Sequence, residues 1–506
     1  MGRSKKFMLN SVTTALLQVV TMIAGFITPR FMLTAYGSEI NGLISSILQF
    51  ISYFNLVEAG LSSAAVYSLY KPIAEKDYNR INRIVVAAKH FYVKSGFIFV
   101  GLVVILAICY PFITDSTVLD QTSIFVLVLV LGVNGSLEFF TLAKYRALLT
   151  ADQRTYVISL ASIVYTVLNT IIVVALSIMH INIVLLRIIA LLSIFVRTLI
   201  LYVYVKTNYH FICYDVEPDY GAMDKRWSAL YLQIVQTVQN ASPAVMTTIF
   251  SSLKMVSVYS VYNMVMAGIN GVMSVFSTGV SAGFGELIVK KDKTAFQKAY
   301  SDFEYLYYFM VSVIYSITLV TILPFVGVYT SGIDDIQYTN LTLAILFVAN
   351  GILYNLKTPQ GMLVIAAGLY KETRVQSTVQ AAILLIGGIC FGIKWGLAGI
   401  MLASCLSNLY RCIDLYFFIP KMVTHMTRKS TLLNICTAIL MIIVIYVTAP
   451  MLIKFTPTSL ITWFFYAICV GTYSLVFICI FHIIFARDNF RTILIRLRNM
   501  KGAKFA

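Results

Sequence analysis

Charged side chains are scarce in this chain, and their scarcity excludes most classes of soluble protein. Only 12% of its 506 residues are Asp, Glu, Lys or Arg, whereas soluble domains carry about 25%. Hydrophobic residues make up 59% of the sequence, and the mean hydropathy is +0.85. Apolar runs of roughly 20 residues recur along the chain, which is the length that spans a bilayer as a helix. The composition therefore predicts an all-α, polytopic membrane protein.

Motifs typical of metal proteins and soluble enzymes are also missing. The 8 cysteines include no Cys-x-x-Cys pair, so the sequence favours neither disulfides nor a metal site. No Gly-x-x-x-x-Gly-Lys-Ser/Thr loop occurs, and the segments between apolar runs are too short to fold as catalytic domains. We therefore expect that the chain hydrolyses no ATP, uses no cofactor and is not an enzyme.

About fourteen apolar stretches have the length and composition of transmembrane helices. They cover residues 11–33, 40–66, 91–113, 123–143, 157–178, 183–205, 228–250, 256–283, 306–329, 338–366, 376–393, 396–419, 432–453 and 459–485. Similar features recur at an offset near 216 residues, which predicts two copies of six spans. Two such copies would hold a substrate between them at mid-membrane.

The basic residues are distributed unevenly between alternate loops. Of the 38 Lys and Arg residues, 31 lie at the termini or in one set of loops, and the other set contains only Lys254, Lys394 and Lys454. Positive charge accumulates on the cytoplasmic side of membrane proteins, so we expect a cytoplasmic-membrane protein with both termini in the cytoplasm. The net charge of +17 indicates topology and contact with anionic lipids rather than nucleic-acid binding.

Four arginines lie inside the apolar stretches, where each costs about 3 kcal/mol unless it meets water, a partner or an anionic ligand. They are Arg30, Arg187, Arg197 and Arg411. We interpret them as candidate substrate-binding residues, although Asp414 lies one helical turn from Arg411 and could pair with it. Arg187 lies near an outer end and could instead snorkel. Lys357 could receive an anionic headgroup or be ordinary flanking charge.

Polar side chains form stripes on four of the predicted spans. Gln18, Gln49, Gln236 and Asn270 belong to stripes on spans 1, 2, 7 and 8, which favours a shared wet cavity over contacts between helices. The carboxylates Glu58, Glu138 and Asp414 are candidates for ion coupling, since a desolvated carboxylate can carry a proton or hold Na⁺. Glu58 could equally pair with a basic loop residue.

Several segments resemble a known family. They are Pro29-Arg30, Tyr36-Gly-Ser-Glu-Ile-Asn-Gly42, Glu58-Ala-Gly-Leu-Ser62, Leu69-Tyr-Lys-Pro-Ile-Ala74, Asp77-Tyr-Asn-Arg-Ile-Asn82, residues 145–156 and residues 357–374. This pattern is similar to that of Wzx-type polysaccharide transporters of the multidrug/oligosaccharidyl-lipid/polysaccharide (MOP) exporter superfamily. The resemblance extends through span 12, and spans 13 and 14 match a common extension. It supports a substrate role for Arg30, which matches the family's first-span arginine.

The resemblance implies a MATE/MurJ-like fold and a transport function. Its expected parts are an N-terminal six-helix lobe at 1–206, a C-terminal six-helix lobe at 207–425, two additional transmembrane helices at 426–486 and a cytoplasmic, basic, amphipathic tail at 487–506. The implied activity is a flippase that exports polyprenyl-diphosphate-linked oligosaccharide by alternating access, for surface polysaccharide biosynthesis. Its expected partners are that lipid-linked oligosaccharide, membrane lipids, and the glycosyltransferases and polymerase of the same pathway.

Other functions are alternatives to this interpretation. A lipid II-type peptidoglycan precursor flippase shares the fold and the anionic substrate. A membrane-embedded glycan polymerase or ligase is the enzyme alternative, but the short outward loops argue against it. A multidrug exporter of the same superfamily ranks third. Such an exporter is expected to have an acidic residue on the cavity face of span 1, and none occurs between Phe7 and Phe31.

Overall fold

The chain folds as helices joined by short turns. The computed structural model describes residues 3–58, 61–114, 116–223, 226–290 and 292–485, and within these ranges it contains no β-strand. The predicted all-α class is confirmed. The expected amphipathic tail at 487–506 lies outside the described residues.

The first of two compact units comprises Met1–Ser260 together with the short segment Ile333–Ile336. Its helices are α1 (Arg3–Phe54), α2 (Leu61–Glu75), α3 (Tyr78–Ile113), α4 (Gln121–Leu137), α5 (Ala143–Ala151), α6 (Thr155–Ile178), α7 (Ile183–Ala190), α8 (Leu192–Asn208), α9 (Arg226–Phe250) and the start of α10 (Leu253–Val289). The core of this first unit is built largely from α1, α3, α4 and α5.

The second unit comprises Val261–Gly332 and Gln337–Ala506. After the remainder of α10, its helices are α11 (Lys293–Tyr329), α12 (Leu341–Leu356), α13 (Thr358–Ala366), α14 (Arg374–Ile419), α15 (Arg428–Leu452) and α16 (Leu460–Phe485). The division into compact units falls at Ser260, within α10, whereas the predicted lobes meet at 206/207. The lobe boundary stays a prediction.

In the described part of the chain, ten helical segments are long and apolar enough to cross a membrane, so the chain is a multi-pass membrane protein. Two of them, Met8–Glu58 and Arg374–Thr424, each contain two predicted spans. The turn comes at Gly37 (φ +78°) in the first and Gly396 (φ +56°) in the second, a backbone conformation that glycine adopts without a Cβ penalty. With α9 and α10, which lie where spans 7 and 8 are expected, these helices account for the fourteen predicted spans.

Four predicted spans contain breaks that the hydropathy pattern does not show. A 3-10 turn at Asn55–Glu58 interrupts span 2, and a π-helical turn at Glu138–Leu142 ends span 4. Span 6 divides into α7 and α8 at Leu191, and span 10 divides into α12 and α13 at Lys357. Each break contains or adjoins a charged residue that the sequence marks as a candidate site residue.

Aspartates begin the longest uninterrupted helix of each unit. The Asp77 carboxylate accepts a hydrogen bond from the amide of Arg80 at the start of α3, and Asp292 does the same for Ala295 at the start of α11. Such N-caps satisfy amides that the helix itself leaves unpaired. The amide of Ala295 and the hydroxyl of Thr294 together lower the pKa of Asp292. The equivalent caps agree with the predicted internal repeat.

The two helices at the end of the chain pack onto α11 in the second unit. Their shared core includes Val320 of α11, Met441 and Ile445 of α15, and Val470 of α16. The indole Nε1 of Trp463 donates to the backbone carbonyl of Thr321 at 3.1 Å. The expected additional helices are therefore part of the second compact unit.

Candidate functional site

Four charged side chains form a cluster in the first unit. Arg146 of α5 donates a hydrogen bond to the Glu58 carboxylate, and Arg197 of α8 donates to Glu138 with 2.5 Å between Nη1 and Oε1. The charge of Glu138 also acts on Glu58 and Arg146, so the two pairs are electrostatic neighbours. We call Glu58, Glu138, Arg146 and Arg197 the four-charge cluster. Its formal charges cancel.

Local breaks in the helices position the carboxylates of this cluster. Glu58 ends the 3-10 turn after α1, and Glu138 begins the π-helical turn after α4. A π-helical turn inserts an extra residue into a helix and often occurs at functional sites. The Thr198 hydroxyl donates to Thr141 at 3.2 Å, which joins α8 to this same turn.

Arg197 is held on two sides. Its side chain is 12% exposed, its guanidinium pairs with Glu138, and its Cζ lies 5.6 Å from the centre of the Tyr165 ring. Because Glu138 neutralises Arg197, this arginine has less need of an anionic ligand. The contact joins Arg197, a predicted substrate-binding residue, to Glu138, a predicted ion-coupling residue. Both roles stay predictions.

Glu58 pairs with Arg146, a basic residue at the predicted end of span 4. Pairing with a basic residue of this kind is the alternative to an ion-coupling role for Glu58. The Glu58 side chain is 19% exposed, and Arg146 lies near the predicted cytoplasmic end of span 4. A carboxylate in this pair could still release its partner upon protonation. The contact therefore leaves the ion-coupling role of Glu58 a prediction.

Arg187 differs from Arg197 and Arg411 because no carboxylate pairs with it in the part of the chain that the structure describes. It lies in the last turn of α7, one helical turn before the break at Leu191. Its Nε is buried, and within the described ranges this atom has no hydrogen-bond partner. The nearby titratable groups are the hydroxyls of Tyr36 and Tyr165. An incompletely satisfied guanidinium inside an apolar unit is suited to an anionic ligand.

The polar stripes of the first unit include exposed side chains as well as contacts between helices. Gln18 in α1 and Gln236 in α9 are exposed, and Gln49 is half-buried. Asn10, on the same stripe as Gln18, accepts from the Tyr156 amide at 2.8 Å and so joins α1 to α6. Arg30 lies half-buried on α1.

Lys357 lies in a polar cluster of the second unit. Its Nζ donates to Asn408 Oδ1 at 2.6 Å and lies 5.0 Å from the centre of the Tyr354 ring. Asn408 in turn donates to Asn350 at 2.8 Å, and Gln380 donates to Asn408 at 3.3 Å. Every one of these partners is neutral. Among the described residues, no carboxylate forms an ion pair with Lys357.

Arg411 lies near Lys357 and has its own carboxylate. The Arg411 Nη1 donates to Asp414 Oδ2 at 2.6 Å, with side-chain exposures of 9% and 15%. This is the pairing one turn apart that the sequence offers as the alternative to a substrate contact. Arg411 adds a second positive charge to the surroundings of Lys357.

Asn270 takes part in a hydrogen-bond network between helices. Its Oδ1 accepts from Asn355 Nδ2 at 2.9 Å, and Asn355 also contacts the hydroxyls of Tyr307 and Tyr315. These contacts join α10, α11 and α12. The structure therefore gives Asn270 a packing contact, and a role in substrate binding stays a prediction.

Glu304 is a buried carboxyl group that hydropathy does not mark. This residue is buried in α11, where Tyr300, Gln360 and Thr431 surround its carboxylate. It lies two residues before predicted span 9, outside the apolar stretch. The aromatic residues around it, Phe303 and Tyr305, are the signal that the helix and its buried surface begin earlier.

Comparison with solved structures shows which fold these helices form. A structure of the lipid II flippase MurJ in an inward closed conformation is 16% identical and covers 95% of this chain and 99% of its own, with a TM-score of 0.67. An inward-facing multidrug resistance MATE family transporter of the MOP superfamily is 11% identical and covers 81% and 97%, with a TM-score of 0.65. A MATE structure in the bent conformation is 11% identical and covers 84% and 97%, with a TM-score of 0.57. The chain has a MATE/MurJ-like fold.

This result confirms the predicted fold. No family model and no curated protein sequence matches the chain. Sequence identities of 11% and 16% establish a shared fold and leave the substrate open. The Wzx-type resemblance stays a prediction.

Proposed function

We propose that this protein is a flippase that moves a polyprenyl-diphosphate-linked oligosaccharide from the cytoplasmic to the outer face of the cytoplasmic membrane by alternating access. It would act in surface polysaccharide biosynthesis, beside the glycosyltransferases and polymerase of that pathway, with both termini in the cytoplasm. Transport of this kind changes no covalent bond, and the protein would not be an enzyme.

The observation that carries the proposal is Arg187, which lies within an apolar helical unit without a carboxylate partner among the described residues. A diphosphate supplies paired anionic oxygens, and a guanidinium binds such oxygens through two parallel hydrogen bonds. Lys357 is the corresponding cation of the second unit, since all of its observed contacts are neutral. Each unit thus offers one cation for a phosphate group.

Transport by purified protein in liposomes tests the proposal. A fluorescent polyprenyl-diphosphate oligosaccharide should cross the bilayer with wild-type protein, and Arg187→Ala should slow its transfer on the order of 10- to 100-fold, the effect of losing hydrogen bonds to a charged group. Arg187→Lys should restore transfer only in part, because it keeps the charge and loses the paired donors. Lys357→Ala should slow it as well.

Lys394→Ala is the matched control, because it removes one exposed cation that contacts the Trp395 ring. It should transport at the wild-type rate. Wild-type transport by both Arg187→Ala and Lys357→Ala would contradict the proposed phosphate contacts. No transfer by wild-type protein would contradict the flippase itself.

A lipid II flippase is a second candidate, favoured by the extent of one structural match. The MurJ structure covers 95% of this chain, compared with 81% for the inward-facing MATE transporter. Lipid II also carries a diphosphate, so the same cations would serve either substrate. Competition in the liposome assay distinguishes them, because the true substrate should slow transfer of the labelled lipid most strongly.

A further inference from the structure

Glu304 is a buried carboxyl group of the second unit, and neither the proposed substrate contacts nor the four-charge cluster uses it. Only 2% of its surface is exposed. Within the described ranges, no lysine, arginine or histidine forms an ion pair with it. A buried carboxylate without a cation is costly to keep ionised, so its surroundings need an explanation.

Neutral donors supply all the hydrogen bonds to Glu304 in the described part of the chain. Its Oε1 accepts from the Tyr300 hydroxyl at 3.0 Å and from the Gln360 amide at 3.2 Å. The Thr431 hydroxyl lies 3.1 Å from Oε1 and 2.9 Å from Oε2. These contacts join α11 to α13 and α15.

The position of Thr431 fits a protonated Glu304. One hydroxyl has a single proton, so it cannot donate fully to both carboxylate oxygens at once. When the carboxyl group is protonated, both contacts are satisfied. The Oε2 proton is donated to Thr431 Oγ1, and the Thr431 proton is donated to Oε1. Oε2 has no other donor among the described residues, which leaves this atom available for the proton.

A small cavity adjoins the carboxyl group and has room for about one water molecule. Polar side chains on its wall include Thr424, Thr427 and Tyr416. Thr427 is itself exposed, in the short connection between α14 and α15. The cavity therefore offers a path for proton exchange between Glu304 and water.

Charged groups on the elements packed around Glu304 do not neutralise it. On α11 the titratable neighbours are Tyr300 and Tyr308, whose hydroxyls are neutral at ordinary pH. On the remaining elements, Lys357 contacts Asn408, Arg411 pairs with Asp414, His482 contacts Tyr305, and Lys421, His425, Arg428 and Lys429 are exposed. Helix α13 contains no titratable side chain.

We propose that Glu304 is a proton-binding site, in which the carboxyl group donates its proton to Thr431 and exchanges it with water through the adjoining cavity. Loss of the proton would leave a buried anion held only by neutral donors. We expect this change to loosen the packing of α13 and the first turn of α15 against α11. The site does not depend on the identity of the transported substrate.

Infrared spectroscopy of the full chain in lipid nanodiscs, recorded as the difference between wild-type and variant spectra, tests the proposal without a transport assay. At neutral pH, wild-type protein should show the carbonyl band of a buried carboxylic acid, and Glu304→Gln should lack it. The matched control is Glu286→Gln, which removes an exposed glutamate paired with Lys290 and should keep the band. Thr431→Val should move the band to higher frequency, because the acid loses its hydrogen-bond acceptor.

Each outcome decides for or against the site. A wild-type spectrum equal to that of Glu304→Gln at neutral pH would overturn it. Loss of the acid band when Na⁺ replaces a large organic cation in the buffer would overturn it too, because the site would then be a sodium site. If Glu304→Gln fails to fold, an unshifted band in Thr431→Val would overturn it. None of these outcomes bears on whether the protein transports a lipid-linked substrate.

Discussion

At the scale of single residues, ion pairs separate three of the intramembrane arginines into two kinds. Arg197 and Arg411 each have a carboxylate at hydrogen-bond distance, at Glu138 and Asp414. Arg187 has none among the described residues, and its Nε is buried. A paired arginine stabilises its unit by neutralising a partner, whereas an unpaired one is available to a ligand. The two kinds should therefore respond differently to substitution.

Arg197→Met should destabilise the protein, and adding Glu138→Gln should restore stability. The single substitution leaves the Glu138 carboxylate without its arginine partner, and because this side chain is 39% exposed, water offsets part of the loss and we expect a cost of about 1 kcal/mol. The double substitution removes both charges and leaves no anion without a partner. The measurement is the free energy of unfolding in bicelles for all four members of the cycle.

The exposed pair of Lys290 and Glu286 provides the control for this cycle. Both side chains are 65% exposed, so Lys290→Met should leave stability unchanged, as expected for a surface ion pair. Equal stability of Arg197→Met and wild-type protein would show that the pair with Glu138 contributes nothing to the fold. In that case the arginine would be better explained by a ligand.

The sequence predicts which charged residues are unusual, but it suggests ion pairs only between residues that are close in sequence. A cation within an apolar stretch is visible from hydropathy, and so is the possible contact between Arg411 and Asp414 three residues later. The pair of Arg197 and Glu138 joins residues 59 positions apart, so it depends on how α8 packs beside the end of α4. Only the tertiary structure determines such a contact.

At the scale of helices, α1 depends on a close approach that only glycine allows. A Cβ added to Gly42 would lie 1.7 Å from the backbone carbonyl oxygen of Leu253 at the start of α10. Nearby, the Asn41 side chain donates to Ser257 Oγ at 2.7 Å. The first unit therefore brings these two helices into direct backbone contact.

Gly42→Ala should destabilise the protein by at least about 2 kcal/mol, because the added methyl group must displace backbone rather than a flexible side chain. Gly25→Ala is the matched control in the same helix, where an added Cβ meets nothing within 4 Å. It should be neutral or slightly stabilising, since alanine favours a helix over glycine. Thermal unfolding in detergent measures both, and equal losses in the two variants would refute the contact.

Helix existence follows from the sequence much better than helix continuity. Apolar runs of about 20 residues predict the spans, whereas the turns at Gly37 and Gly396 between neighbouring spans are seen only in the structure. The breaks at Glu138–Leu142 and Lys357 lie within runs of uninterrupted hydropathy. They depend on tertiary contacts of the charged residues, which is why hydropathy alone does not reveal them.

At the scale of the whole molecule, the uneven distribution of basic residues predicts the orientation. Single cysteines at Ser331 or Thr458, in a background without the native cysteines, should react with an impermeant reagent added outside cells. A cysteine at Asp215 should not react until the membrane is opened. All three positions are exposed in the structure, so a failure to react would reflect the side of the membrane rather than burial. The reverse pattern of labelling would contradict the orientation.

Leaflet-resolved labelling of the lipid-linked saccharide, in cells that lack this protein and any substitute flippase, tests the proposed function most directly. A flippase makes no covalent change, so its loss should leave complete repeat units, chemically unaltered, on the cytoplasmic leaflet. Supplying wild-type protein should return them to the outer leaflet, and Arg187→Ala should do so poorly. If unpolymerised units instead reach the outer leaflet in normal amount without the protein, the flippase account is contradicted and a polymerase or ligase explains the chain better.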